Sequence, residues 1–183
     1  MTKKFIFTTA TVLLVFTLNL GYVRADEAKI NWLSMDQALQ YHRQNPKKIF
    51  VNIYTSWCGW CKRMDAETFS HPVIVDYINT HFYPVKLNAE QTEPIEFGGV
   101  TYINERPDRR GTPHNFAVAI LQGRLSYPAV AFFDESLNLI FALPGFRPPA
   151  NMEAVLVFFN DDIFENNPNL DNFISNFQGR ISR

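Results

Sequence analysis

The stretch Ile49 to Lys62 reads IFVNIYTSWCGWCK and contains both cysteines of the chain, Cys58 and Cys61. Its first six residues, rich in β-branched and aromatic side chains, are too few for a helix and therefore predict a buried strand. The cysteine pair follows this strand directly, and the residues from Cys61 to Phe69 favour a helix. A strand, two thiols three positions apart and a helix form the most informative part of the sequence.

Several chemical roles are open to such a pair. A structural disulfide that closes so short a loop contributes only about 2 kcal/mol in the chain-entropy model, which is a weak way to hold a domain together. Covalent haem attachment needs a histidine directly after the second cysteine, where Lys62 stands. A zinc site needs four ligands, and the histidines are scattered without paired ligand spacing, at His42, His71, His81 and His114.

A redox-active pair fits the local structure best. Cys58 lies where the helix begins, and the unpaired amides and positive dipole end of a helix stabilise a thiolate. Cys61 lies one turn further along and is expected to face the interior. We therefore expect Cys58 to be an exposed attacking nucleophile and Cys61 a shielded resolving thiol that releases the mixed disulfide.

The rest of the chain alternates strand and helix patterns. Ser34 and Gln37 form a capping box for a helix that ends near Asn45, and IEFGGVTYI predicts a hairpin that turns at Gly98-Gly99. Further strands are predicted at Phe82 to Leu87, Ala129 to Phe133 and Leu139 to Leu143. Further helices are predicted at Val73 to Asn79, Thr112 (N-cap) to Gly123, Met152 to Phe159 and Pro168 to Phe177. This alternation predicts an α/β fold with a mixed central sheet flanked by helices.

The N-terminus predicts export. Lys3 and Lys4 precede an apolar run of about 16 residues, and Val23 and Ala25 place small residues at the −3 and −1 positions of a cleavage site after Ala25. The run is slightly short for a membrane span of about 20 residues, so an uncleaved anchor is the less favoured alternative. We expect residues 1–25 to be a signal peptide and 26–183 a single domain. The periplasm is the favoured location, with the extracellular space as the alternative.

Charge and composition narrow the function classes. Cleavage after Ala25 leaves 14 basic and 18 acidic residues, a formal net charge of −4. A weakly acidic protein of this kind has no basic surface for nucleic acid, and no stable membrane anchor is expected after cleavage. Seventeen phenylalanines predict a dense core or an apolar contact surface.

The stretch FVNIYTSWCGWCK resembles the thioredoxin superfamily, and the similarity continues through CKRMDAETFSHPVIVDYINTHFYPVKLN. The pattern is near that of the C-terminal periplasmic domain of DsbD-type thiol:disulfide interchange proteins. A second specific match is SYPAVAFFD, whose Pro128 stands where the family has a cis-proline opposite the active cysteines. The resemblance implies a thioredoxin-like fold and a thiol-disulfide oxidoreductase that attacks through Cys58 and resolves through Cys61, with reduction of protein disulfides slightly favoured.

The resemblance also implies which residues meet the substrate. We expect Trp57, Gly59, Trp60, Tyr127 and Pro128 to contact it, and the alternative for Trp57 is a packing role beside the site. No metal and no cofactor are expected beyond the redox-active disulfide itself. The expected partners are protein thiols or disulfides and a membrane or periplasmic redox partner.

The sequence departs from the family in two places. Asn52 stands six residues before Cys58, where thioredoxins usually carry a buried aspartate that takes the proton of the resolving thiol. About forty residues separate Asn88 from Pro128, so residues 91–111 are an insertion before the cis-proline strand, either a recognition element beside the active site or a surface loop without a role. A helical extension is predicted at about 161–183. The rival function is a binding or assembly factor that holds a partner with the insertion and an aromatic surface.

Overall fold

The computed structural model describes residues 29–182, so the expected signal peptide lies outside the described residues. The elements in chain order are α1 (Met35–Gln44), β1 (Ile49–Tyr54), α2 (Gly59–Glu67), α3 (Pro72–His81), β2 (Tyr83–Asn88), β3 (Ile95–Phe97), β4 (Val100–Tyr102), α4 (Asn115–Ile120), β5 (Ala129–Phe133), β6 (Leu139–Pro144), α5 (Pro149–Asn160), α6 (Ile163–Asn166) and α7 (Leu170–Asn176).

The central sheet is mixed, as the sequence predicted. Its strand order is β2-β1-β5-β6, with β1 parallel to β2 and the other neighbouring pairs antiparallel. β1 lies inside the sheet and is buried along nearly its whole length, which is why its residues are apolar on both faces except for Asn52. The outer side of β2 is covered by the segment before α1, where Leu33 forms a parallel bridge to Val85.

Side chains alternate between the two faces of the sheet, and helices cover both faces. Phe50 and Phe132 point to the face covered by α2, α3 and α5, where they join Met64, Ile78 and Phe158. On the opposite face α1 and α4 cover a second cluster, which contains Val51, Val85, Ala131, Met35 and Phe116. The many phenylalanines therefore build a dense core, one of the two roles that the composition predicted.

Helix ends follow local capping chemistry. The capping box at Ser34 is present, because its hydroxyl accepts the Gln37 N–H while the Gln37 side chain accepts the Ser34 N–H. The predicted start of α4 at Thr112 is wrong. His114 is the N-cap, since its Nδ1 accepts the Phe116 N–H at 3.1 Å, while the Thr112 carbonyl accepts a hydrogen bond from Asn104 instead.

The insertion forms the predicted hairpin, in which Gly98 and Gly99 both have positive φ at the turn. Phe97 packs against Phe133, and Phe133 pairs with Ile49 at the beginning of β1. The turn of the hairpin therefore lies at the end of the sheet opposite the cysteines. We expected residues 91–111 to lie beside the cysteine pair. For the hairpin this expectation is wrong, because the hairpin packs on the core.

The C-terminal extension is partly helical. It contains α6 and α7, whereas residues 177–182 are not helical. Glu153 on α5 is buried and its two carboxylate oxygens accept the backbone N–H groups of Arg180 (2.8 Å) and Ile181 (3.0 Å), so the end of the chain is held against α5. Among the helices of residues 29–182, none has the length and apolar character needed to cross a membrane.

Candidate active site

The two cysteines lie at the junction between β1 and α2, as predicted. Cys58 is the N-cap of α2, and its Sγ accepts the N–H of Cys61 at 3.0 Å. The two side chains form a disulfide, with their Cα atoms 5.3 Å apart. The turn before the helix is closed by a hydrogen bond from the Cys58 N–H to the Thr55 carbonyl at 3.2 Å. An amide that points at Sγ of Cys58 would also stabilise a thiolate there after reduction.

The two cysteines differ less in solvent exposure than expected. Cys58 is 5% exposed and Cys61 is 3% exposed, so both are buried in the disulfide form. The expectation of an exposed Cys58 is corrected for this oxidised state. Gly59, by contrast, leaves open space above the start of α2, since a Cβ placed on it would meet no atom within 4 Å.

Pro128 lies at the same end of the sheet as the cysteines. The Tyr127–Pro128 peptide bond is cis, in agreement with the expectation from the family resemblance. Pro128 directly precedes β5, whose first residue Ala129 pairs with Ile53 near the end of β1. The Pro128 carbonyl accepts the Gly145 N–H at 2.7 Å, which holds the segment after β6 beside it.

Trp57 is fixed by two contacts although 54% of it is exposed. Its indole N–H donates to Oε1 of Glu90 at 2.7 Å, and its ring meets the Tyr127 ring edge-on at 6.2 Å. Burial and the nearby Glu90 carboxylate raise the pKa of Tyr127 above its usual value. We call Trp57, Tyr127 and Glu90 the acidic wall of the site.

Trp60 forms a second aromatic cluster. Its ring lies 5.6 Å from that of Phe146, and the Arg63 guanidinium lies 5.1 Å from the centroid of each ring. Arg63 also donates through Nε to Oε1 of Glu67 at 2.8 Å. Trp60 is 55% exposed. We call Trp60, Phe146 and Arg63 the basic wall of the site.

Asn52 lies in β1 on the sheet face that α2 covers, and it is 2% exposed. Its neighbours in register are Lys86 on β2 and Val130 on β5. Lys86 binds Asp65 on α2, four residues after Cys61, with an Nζ to Oδ2 distance of 2.8 Å. Within residues 29–182 no group hydrogen-bonds to Oδ1 of Asn52, so an amide oxygen is buried there at a cost of about 1–3 kcal/mol.

The described part of the chain offers no metal centre at this site. Between residues 29 and 182, no three or more His, Cys, Asp or Glu side chains are grouped so as to hold an ion. Two of the scattered histidines are helix caps, His71 for α3 and His114 for α4. Burial lowers the pKa of His114 below its usual value, although its contacts with Glu93 oppose this shift.

Three residues of the site were missed from the sequence, namely Glu90, Arg63 and Phe146. Glu90 could have been found, because β1 and β2 are parallel and their carboxyl ends meet at one edge of the sheet. Arg63 lies three residues after Trp60, a spacing that places the two side chains on one helix face. Phe146 carries no comparable local signal, because only the pairing of β5 with β6 brings it to the cysteines.

A mixed four-stranded sheet with a Cys-x-x-Cys disulfide at the start of a helix, and a cis-proline at the same edge, defines a protein of the thioredoxin-fold class. The chain belongs to the thioredoxin-like domain family, whose model matches residues 35–160, more than half of the chain. This confirms the superfamily and the fold class that the sequence predicted.

Two solved structures with TM-scores above 0.5 agree with the fold class. A thioredoxin-fold protein from Helicobacter pylori is 20% identical with a TM-score of 0.56, covering 72% of this chain and 84% of that chain. A DsbH oxidoreductase is 18% identical with a TM-score of 0.51, covering 76% of this chain and 90% of that chain. The C-terminal domain of DsbD from Neisseria meningitidis, in the oxidised form, is 16% identical with a TM-score of 0.43, covering 71% and 97% respectively.

Two curated relatives are much longer proteins. An uncharacterized protein of Caenorhabditis elegans, B0495.5, is 28% identical over 67% of this chain and 15% of its own length. Human spermatogenesis-associated protein 20 is 26% identical over 47% of this chain and 11% of its own length. The chain thus spans about one seventh or less of these relatives, which are similar to it in one region only.

Proposed function

We propose that this protein is an exported thiol-disulfide oxidoreductase that exchanges disulfides through Cys58 and Cys61. The observation that carries the proposal is the disulfide between these two residues at the N-terminus of α2, within a thioredoxin-like domain. The geometry supports it because the Cys61 amide points at Sγ of Cys58, where negative charge develops in the reduced protein.

The reaction we propose runs in the direction of substrate reduction. The Cys58 thiolate attacks one sulfur of a substrate disulfide, which forms a mixed disulfide and releases the first substrate thiolate. Cys61 then loses its proton, attacks Sγ of Cys58, and releases the second substrate thiolate. Two electrons pass to the substrate and the Cys58–Cys61 disulfide forms, so a dithiol donor must reduce this disulfide before the next cycle.

The substrate and the donor are proteins in this proposal. The substrate polypeptide would contact Trp57, Gly59, Trp60, Tyr127 and Pro128. These residues adjoin the cysteines in the chain or lie at the same end of the sheet, and the tryptophans are exposed. The donor would be a membrane or periplasmic redox protein, and no bound cofactor or metal takes part. The name of the similar DsbH oxidoreductase is consistent with this chemistry.

Capture of reaction intermediates tests the proposal. A Cys61→Ser variant should accumulate mixed disulfides with protein substrates, because the resolving thiol is missing, and Cys58→Ser should accumulate none. The wild-type protein should reduce insulin disulfides, and in the reduced protein Cys58 should react with iodoacetamide near neutral pH much faster than Cys61. Stable partner binding without any mixed disulfide or insulin reduction would instead support the rival assembly-factor function.

Export is tested separately. N-terminal sequencing of the protein from a periplasmic fraction should begin at Asp26 if cleavage follows Ala25. A chain that retains residues 1–25 and stays with the membrane fraction would show an anchored protein and would leave the disulfide chemistry unaffected.

A further inference from the structure

The two aromatic clusters beside the disulfide carry opposite charges. On the acidic wall, Glu90 binds the neutral indole N–H of Trp57 and forms no ion pair with any residue between 29 and 182. Its negative charge is therefore not neutralised by any residue in this range. Trp57 adjoins Cys58 in the chain, so this charge lies beside the residue that precedes the attacking cysteine.

On the basic wall, Arg63 keeps most of its hydrogen-bonding capacity free. The faces of its guanidinium meet Trp60 and Phe146, and Nε is used for Glu67. The four N–H groups on its two Nη atoms have no partner among residues 29–182, and they remain able to donate to a carboxylate. Glu67 offsets part of the Arg63 charge, whereas the neighbouring Lys62 is exposed and forms no ion pair in the described chain.

Both walls adjoin the disulfide and Pro128 through chain neighbours or hydrogen bonds. Trp57 precedes Cys58 and Trp60 follows it, and the two tryptophans pack in separate clusters, Trp57 against Tyr127 and Trp60 against Phe146. The same separation is repeated on the proline side. Tyr127 precedes Pro128 and belongs to the acidic wall, whereas Gly145 binds the Pro128 carbonyl and leads directly to Phe146 of the basic wall.

We propose that the site selects disulfide-bonded segments by the order of charges around the cysteine, with a basic residue on one flank and an acidic residue on the other. In the favoured order each charged side chain meets the wall of opposite sign. In the reversed order each meets the wall of like sign, which disfavours the encounter. This inference rests on the proposed disulfide exchange and adds the class of substrate to it.

Two isomeric peptides test the charge order. Both contain one cysteine flanked by leucines and blocked as a disulfide with 2-mercaptoethanol. One has lysine on the N-terminal side and glutamate on the C-terminal side, and the other has the reverse. With two exposed ion pairs involved, the second-order rates of the reduced protein should differ by roughly fivefold at low ionic strength. At about 1 M salt, where the Debye length is near 3 Å, the two rates should become equal.

Single substitutions assign the effect to the walls. Glu90→Gln keeps an oxygen acceptor for the Trp57 N–H and removes only the charge, so it should reduce the ratio of rates to roughly twofold. Arg63→Gln should do the same from the other wall. Glu96→Gln is the matched control, because this exposed carboxylate lies on the hairpin and accepts from Thr101 in the same way. It should leave the ratio at the wild-type value.

The outcomes separate this inference from the function on which it rests. Equal rates for the two peptides at low salt would overturn the charge-order inference, as would a ratio that neither Glu90→Gln nor Arg63→Gln changes. Neutral bis(2-hydroxyethyl) disulfide has no charge order and tests disulfide exchange alone. If the reduced protein failed to react with it, the proposed function would be rejected and the charge-order inference with it.

Discussion

The two ends of the central sheet differ in how fully their polar groups are satisfied. Where β1 begins, Ile49, Phe50 and Val51 are completely buried among apolar side chains. Where β1 ends, Asn52 and Thr55 each bury a side-chain oxygen for which residues 29–182 provide no hydrogen-bond partner. Beyond these two residues lie the disulfide and the two exposed tryptophans.

This difference indicates that features which lower stability are concentrated at the cysteine end. A buried polar atom without a partner costs about 1–3 kcal/mol, and a half-exposed tryptophan contributes less apolar burial than a core residue. The opposite end offsets these costs with apolar packing. Activity and stability should therefore respond to different ends of the sheet.

The largest expected effect follows from Cys58→Ser. Reduction of insulin disulfides should fall to the background rate, because a hydroxyl at this position is a poor nucleophile near neutral pH. Stability in urea should fall by only about 2 kcal/mol, the contribution of a disulfide that closes a very short loop. If turnover survived in Cys58→Ser, Cys61 would have to be the attacking thiol, and the assignment of the two roles would be reversed.

At the opposite end of the sheet, Phe132→Ala should lower stability and not activity. Phe132 is fully buried between Phe50 and Phe159, so its loss should lower the free energy of unfolding by about 3–5 kcal/mol in urea titrations. Phe141 pairs with Phe132 in the sheet and is 51% exposed, which makes Phe141→Ala the matched control, with a cost of about 1 kcal/mol or less. Equal costs for both variants would contradict the assignment of Phe132 to the core.

Asn52→Asp tests proton transfer at the cysteine end of the sheet, because it places a proton acceptor on the face that α2 covers. A buried carboxylate has a raised pKa and can take the proton of a neighbouring thiol, so release of the mixed disulfide by Cys61 should become several-fold faster near neutral pH in stopped-flow measurements. Asn52→Ser, which lacks a carboxylate, should give no acceleration. An unchanged rate in folded Asn52→Asp would show that proton transfer at this position does not limit the cycle.

The same variant should lose stability as the pH rises. Burial raises the folded-state pKa of the new carboxyl above its unfolded value. The loss of stability caused by ionising this carboxyl is therefore absent below about pH 4. It then grows until the pH passes the folded-state pKa. A free energy of unfolding with the same pH dependence as the wild type between pH 4 and pH 8 would show that the neighbouring Lys86 cancels the effect of burial on this carboxyl.

The smallest expected effect concerns His114, the buried N-cap of α4. Burial lowers the pKa of His114, so its neutral form is favoured in the folded state. The contribution of neutral His114 to stability is fully present above pH 6.5, which is the ordinary pKa of histidine. It is lost as the pH falls through the lower folded-state pKa. His114→Asn keeps a capping acceptor and should lose less stability than the wild type between pH 7 and pH 5.

His71→Asn provides the matched control for this substitution. His71 is also an N-cap whose Nδ1 accepts a backbone N–H, but it is only partly buried. His71→Asn therefore tests whether replacing a histidine cap by asparagine is enough to alter the pH dependence of unfolding. If both variants altered the pH dependence equally, burial of His114 would not be the cause.

The sequence predicted most elements of the fold because their signals are local. The apolar run of β1, the capping box at Ser34 and the Gly98-Gly99 turn each depend on residues within a few positions of one another. The start of α4 was predicted wrongly at Thr112, because His114 is an unusual capping residue and its imidazole competes successfully for the helix amides. The position of the hairpin turn, at the end of the sheet away from the cysteines, was also predicted wrongly, because it depends on the packing of Phe97 against Phe133.

The sequence by itself determined the fold class and the cysteine pair, because a strand, a Cys-x-x-Cys motif and a helix adjoin in the chain. Only the tertiary structure decided what surrounds the disulfide. The contact of Trp57 with Glu90 and that of Trp60 with Phe146 join segments far apart in the chain, and they form where strands of the sheet end side by side. Periodicity and capping signals describe one element at a time, so they do not specify which residues of different elements meet at one edge of a sheet.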